Sequence, residues 1–307
     1  MSIDALQERI RKFKNPTMVS LDPSQDLIPS FVLKDAFDQL GETPQGLARA
    51  YMRFCRDILV TLRDVVPAVK IQATCFEILG SYGVAVLQEL CSTAHEMGYY
   101  VLLDSRGGDL AHISEMYAKA VFDHVQIGSK TYRPYVCDAV TLNGYLGSDA
   151  VKPFIPYCKE AGKNLFLLVK TSNRSGREVQ DLISGDRVVH TAMADLAMRW
   201  STDLFGKYGY SEIGAIVPAT DSKALTTLRQ KYDRLFFQVE GYGAQGGTAK
   251  GVSTAFDQFG HGAVVVASRS ILGAWKKSEE GGRDYAERAL EAAVKMKKDI
   301  GKYVTVI

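Results

Sequence analysis

No two of the five cysteines form a C-x-x-C pair: Cys55, Cys75, Cys91, Cys137 and Cys158 are scattered, each in an apolar context. That absence argues against zinc or a disulfide framework and for buried free thiols in a reducing cytosol. No apolar run reaches membrane-spanning length, and residues Met1 to Ile10 read as an amphipathic helix rather than a signal peptide. A cytoplasmic protein with no membrane partner is therefore expected. Basic runs interleaved with aromatics are also missing. The 37 Lys+Arg against 35 Asp+Glu leave a formal charge of only +2, so nucleic acid is not an expected partner. The five histidines lack ligand spacing, no metal site is expected, and His112 reads as a helix-surface residue. With no Pro-, Gly- or Ser-rich interior linker and no low-complexity tract, the 307 residues read as one domain.

What the chain does have is alternation. Short β-rich apolar runs recur at Met18 to Asp22, Ala68 to Gln72, Tyr99 to Asp104, Ala139 to Tyr145, Leu165 to Ser172, Ile213 to Ala219, Leu235 to Glu240 and Ala263 to Arg269. Helical patterns fall between them, among them Ala48 to Val65, Val84 to Met97 and Thr191 to Phe205. Eight such units predict an α/β fold of the (β/α)₈ TIM-barrel type, whose site lies at the C-terminal ends of the strands. One irregular insertion, Phe122 to Cys137, reads as a surface loop in preference to an active-site lid.

The strand-end rule yields a polar list: Asp22, Lys70 with Gln72, Asp104 with Arg106 and Asp109, Asn143, Thr171 to Asn173, Thr220 with Asp221, Gln245, and Ser268 with Arg269. The segment Val101-Leu-Leu-Asp-Ser-Arg-Gly-Gly-Asp109 stands out, because two carboxylates flanking a cation at the mouth of a buried strand cost desolvation unless a site repays it. Gly241-Tyr-Gly-Ala-Gln-Gly-Gly247 satisfies G-x-G-x-x-G, yet no acidic residue follows at the distance a dinucleotide fold requires. After the seventh strand of a barrel, the same loop reads as a phosphate site, with backbone N–H groups facing the anion and Arg269 adding a charged contact.

With these motifs in hand, the chain resembles the longer subgroup of the orotidine 5′-phosphate decarboxylase family. The matches run in order: Val19-Ser-Leu-Asp-Pro23, Val69-Lys-Ile-Gln72, the Asp104 segment, Thr141-Leu-Asn-Gly-Tyr-Leu-Gly147, Val169-Lys-Thr-Ser-Asn173, Ala219-Thr220, the glycine loop and Ser268-Arg269. The resemblance implies a homodimer with a shared active site that binds a nucleotide monophosphate and needs neither metal nor organic cofactor. It implies that Asp22 contacts the ribose and that Ser172 reads the pyrimidine. Gln245, Gly246, Gly247 and Arg269 would hold the phosphate. Lys70, Asp104 and Asp109 would belong to the family's Lys-Asp-Lys-Asp charge array, with Asp109 reaching into the partner's site.

Three positions depart from the family motif. Arg106 stands where the catalytic lysine is expected, Ile113 where a threonine is expected, and Glu240 where the loop has proline. In the family, CO₂ leaves C6 of the pyrimidine and the lysine stabilises and then protonates the carbanion. A guanidinium can supply charge but, with a pKa above about 12, is a poor acid. Loss of such a group commonly costs a factor of about a hundred to ten thousand. Lys130 in the insertion, or a bound water, would have to replace the donor. Two alternatives stay open: an enzyme acting on another nucleotide or sugar phosphate, and a non-catalytic nucleotide-binding homologue.

Overall fold

Eight parallel strands close on themselves in a computed structural model that describes residues 3–307; Met1 and Ser2, at the head of the expected first helix, lie outside the described residues. The strands are β1 (Thr17–Leu21), β2 (Ala68–Gln72), β3 (Tyr100–Gly107), β4 (Ala139–Leu142), β5 (Asn164–Leu168), β6 (Ile213–Pro218), β7 (Phe237–Glu240) and β8 (Ala263–Ala267). Each pairs with its chain neighbours, and β1 closes the ring on β8 through Thr17 opposite Val265. Helices such as Pro44–Leu62, Gly80–Glu96, Ala111–Phe122 and Tyr285–Gly301 pack outside. This is the expected (β/α)₈ barrel.

The strands form where β-branched and aliphatic residues cluster, because a strand covered on both faces tolerates a continuous apolar run. β8 is Ala-Val-Val-Val-Ala and is buried throughout. The ends differ from the sequence reading for local reasons. β3 runs on to Gly107 because its register shifts between Leu103 and Gly107, a bulge that keeps the chain paired past Asp104. β4 stops at Leu142, where the Asn143 side chain accepts the Tyr145 N–H and turns the chain. β8 stops before Arg269, which instead opens the short helix Arg269–Leu272.

The insertion contains an antiparallel hairpin, Val125–Ile127 with Lys130–Tyr132. Gly128, at φ +60°, supplies the positive φ that its two-residue turn requires. The hairpin leads into the start of β4, so it belongs to the N-terminal face of the barrel, away from the strand ends that carry the site. Cys137 and Asp138 anchor it there, by a bond from Lys163 Nζ to the Cys137 carbonyl and from the Val101 N–H to Asp138. Lys130 is thus on the opposite face from Asp104 and is not the substitute proton donor.

Helix Ile3–Phe13 seals that same N-terminal face. Ile3, Leu6 and Ile10 are fully buried, Arg9 Nε donates to the Pro67 carbonyl, and the Gly262 N–H donates to Gln7. All five cysteines are free; Cys75 is half-buried and the other four are buried. Among the described residues no helix is long and apolar enough to cross a membrane.

Candidate active site

Period-two alternation brings the polar residues of several strands to the open end of the barrel. Ser20 and Asp22 come from β1 and its end, Lys70 and Gln72 from β2, Asp104 from β3, Thr141 from β4, and Gln238 with Glu240 from β7. Lys70 is the hub. Its Nζ lies 2.6 Å from Asp104 Oδ2 and 2.9 Å from Glu240 Oε1. Asp104, with no exposed surface, also accepts from Thr141 Oγ1 at 2.7 Å and lies 3.4 Å from Arg106 Nε. The Arg106 guanidinium stands 3.7 Å from the other oxygen of Glu240. Two cations and two carboxylates therefore form one closed array.

The bulge in β3 sets Arg106. Its φ of +50° is left-handed, uncommon for a residue with a side chain, and its N–H is held by Thr141 Oγ1 at 2.9 Å. One threonine thus ties both the backbone of Arg106 and the carboxylate of Asp104. Burial alone would raise the Asp104 carboxyl, but Lys70, Arg106 and Thr141 together hold it below its ordinary value of 3.8. Burial likewise works against the Lys70 ammonium, and Glu240 and Asp104 reverse that, holding it above 10.5.

Beside the array a slot of about 80 Å³ runs from Lys70, Glu240 and Asp22 out to Gln245 and Arg269. Three buried oxygens on it, Ser20 Oγ, Asp22 Oδ1 and Ser268 Oγ, have no hydrogen-bond partner among the described residues. Buried polar groups without partners are rare, and three around one slot mark a place where a polar ligand completes the bonding. Burial raises the Asp22 carboxyl above 3.8; the Ser268 hydroxyl, Lys70 and the Ser20 hydroxyl pull the other way without the serines reaching bonding geometry.

The outer end of the slot is the glycine loop. Gly241, Gly243 and Gly246 take φ of +94°, +71° and +99°. At Gly247 a Cβ would come within 2.5 Å of the Ala219 side chain and 2.7 Å of the Gly241 carbonyl, so only glycine fits. The Gly246 and Gly247 N–H groups do not face outward as expected: they bond to the carbonyls of Gly243 and Gly241. Their part is to shape the loop. The exposed donors at this end are the Arg269 guanidinium and the Gln245 side chain. A wider cleft of about 940 Å³ opens from Tyr242, Gly243 and Arg269 toward helix Tyr285–Gly301.

Ser172 and Thr220 both approach Gly241, where a Cβ would lie 3.4 Å from each. Asp109 is not gathered in: it is exposed, and its carboxylate accepts the Leu110 N–H. Other strand-end residues serve their own loops. Asp221 caps helix Ser222–Lys231, and Thr171 bonds Asn173 and Gln180. Thr141 and Gln238 have no role among the residues expected from the sequence, and Glu240 enters there only as a departure from the family motif. The signal for all three was a polar residue inside an apolar strand.

Residues 16–283 match the family described as orotidine 5′-phosphate decarboxylase / HUMPS. The chain is 33% identical over 273 residues to the orotidine 5′-phosphate decarboxylase of Caldicellulosiruptor bescii, covering 89% of this chain and 90% of that one. It is 33% identical over 306 residues to that of Clostridium kluyveri, covering 98% of each. Leishmania donovani OMP decarboxylase superposes with a TM-score of 0.75 at 25% identity, over 99% of this chain and 98% of that one. UMP synthase of the same organism gives 0.75 at 28% identity, with 98% of this chain matching 56% of that longer one. A barrel of this topology, a charge array at its strand ends and a match over most of the sequence lead to one assignment: the chain belongs to the orotidine 5′-phosphate decarboxylase / HUMPS family.

Proposed function

We propose that this protein decarboxylates orotidine 5′-phosphate to uridine 5′-phosphate, in the cytoplasm and without metal or organic cofactor, using Arg106 at the position where the family motif has lysine. One observation carries this reading: a slot with charged groups at its inner end and Arg269 with Gln245 at its outer end, matching a nucleotide laid base inward and phosphate outward. Asp22 would take the ribose hydroxyls, Ser172 the pyrimidine edge, and Arg269 with Gln245 the phosphate, on a loop shaped by Gly246 and Gly247.

At the inner end the C6–carboxylate bond breaks, CO₂ leaves, and the electron pair stays on C6. The Arg106 guanidinium and Lys70 ammonium stabilise that charge, and Asp104 holds both cations in place. The proton reaches C6 from the Lys70 ammonium, a compact donor with three N–H bonds, and not from the planar, charge-delocalised Arg106 guanidinium. Water then restores the ammonium. Asp109 acts across a homodimer. Its exposed position beside Leu110, Ile113 and Met116, exposed by 61%, 41% and 60%, supports a second copy on this face.

The test is release of labelled CO₂ from carboxyl-labelled orotidine 5′-phosphate by the wild-type chain, Arg106→Ala and Arg106→Lys. The expected order is Arg106→Lys above wild type above Arg106→Ala, with the alanine variant down by about a hundredfold or more. Equal release by all three would remove Arg106 from the chemistry. A second reading, a nucleotide site with other chemistry or none, draws on Glu240, which already engages both cations.

A further inference from the structure

Two departures from the family motif, Arg106 and Glu240, come from different strands and meet in space. The Glu240 carboxylate lies 3.7 Å from the Arg106 guanidinium through one oxygen and 2.9 Å from Lys70 Nζ through the other. Gln238 Nε2 donates to the Lys70-facing oxygen at 2.9 Å and fixes the side chain. Glu240 is only 16% exposed and lines the slot together with Lys70 and Asp22. A proline at this position would bring no charge. Within the chain the two cations would then face Asp104, and across the proposed homodimer the partner's Asp109, as in the family's Lys-Asp-Lys-Asp array. Glu240 adds a further negative charge in contact with both cations before any ligand arrives.

We propose that Glu240 is a specificity-determining residue: its carboxylate occupies the place beside Lys70 and Arg106 that a carboxylate on the base must take, so the site discriminates against anionic bases and favours neutral ones. The inference rests on the reading of the slot as a pyrimidine nucleotide site. A carboxylate on the base entering this array meets Glu240 and the buried Asp104 as like charges, which interact most strongly where water is excluded. A neutral uracil presents only C6–H at that place and meets no such opposition. Orotidine 5′-phosphate therefore has to displace Glu240 from both cations, whereas uridine 5′-phosphate leaves it in place. The phosphate and ribose contacts, at the other end of the slot, are common to both ligands and cancel in the comparison.

The experiment is calorimetric titration of the full chain, Glu240→Gln and Glu240→Ala with uridine 5′-phosphate and with orotidine 5′-phosphate, followed by chromatography to count intact nucleotide. Wild type is expected to bind uridine 5′-phosphate the more tightly. Both variants should improve orotidine 5′-phosphate binding by about tenfold or more, with uridine 5′-phosphate changed by less than about threefold. Retained uridine 5′-phosphate binding also reports that each variant is folded. An unchanged ratio of the two affinities in both variants would overturn the role of Glu240 while leaving the nucleotide site standing. No binding of uridine 5′-phosphate to wild type would instead remove the nucleotide reading, and this inference with it.

Discussion

Lys70 neutralises two carboxylates at once, so its removal should be costly in a pH-dependent way. Lys70→Met leaves Asp104 and Glu240 without their common cation, and breaking a buried pair from one side typically costs about 3–5 kcal/mol. In the wild type, Asp104 is held below 3.8, so its contribution is present above that value and is lost as pH falls through the lower folded one. Without Lys70, burial dominates and the Asp104 carboxyl moves up, so protonation relieves it. The stability gap between wild type and Lys70→Met should therefore narrow from about pH 7 to about pH 4 in urea denaturation. A gap independent of pH would contradict the coupling. At this scale the sequence showed Lys70 and Asp104 through their strand-end positions. It hid the bond of Glu240 to Lys70, because which distant strands bring side chains together in a barrel depends on closure and not on spacing along the chain, and that of Thr141 to Asp104, which depends on register.

At the scale of elements, the apolar runs made all eight strands legible, and their ends less so. A bulge carried β3 past Asp104, and an Asn turn cut β4 short; both depend on local bonds that an apolar pattern does not record. The glycine loop was legible as a motif, but its internal N–H bonds were not. Gly247→Ala should lower uridine 5′-phosphate affinity by about tenfold or more, because a Cβ there meets Ala219 and the Gly241 carbonyl and the loop must shift. Titration calorimetry reads this directly; unchanged affinity would separate the loop from the site. The helix Ala111–Phe122 begins with an apolar face beside Asp109 that the single chain leaves open. Replacing both Ile113 and Met116 by glutamate should convert a dimer to a monomer in sedimentation and abolish turnover together. A variant that sediments as monomer with full turnover would confine the site to one chain.

For the molecule as a whole, the barrel divides its work between its ends. The strand C-termini carry the slot and the array, while helix Ile3–Phe13 and the hairpin-bearing insertion occupy the other face. Conserving stability below and chemistry above is the usual division in such barrels. Leu6, fully buried beneath the barrel, should on replacement by alanine cost about 2–5 kcal/mol and leave the uridine 5′-phosphate affinity of the folded protein unchanged. A parallel loss of affinity would mean that the two ends are coupled. The count of strands and their closure were readable from alternation. The face to which the Phe122–Cys137 insertion belongs followed only from tracing the helix back to the start of β4.

An array with arginine in the lysine position should still expel CO₂. The decisive measurement is incubation of orotidine 5′-phosphate with a high concentration of the purified wild-type protein, following loss of substrate absorbance and identifying the product by chromatography. Slow, protein-dependent formation of uridine 5′-phosphate is expected, and it should disappear in Asp104→Ala and in Arg269→Ala. Firm binding of uridine 5′-phosphate without any turnover of orotidine 5′-phosphate would contradict it.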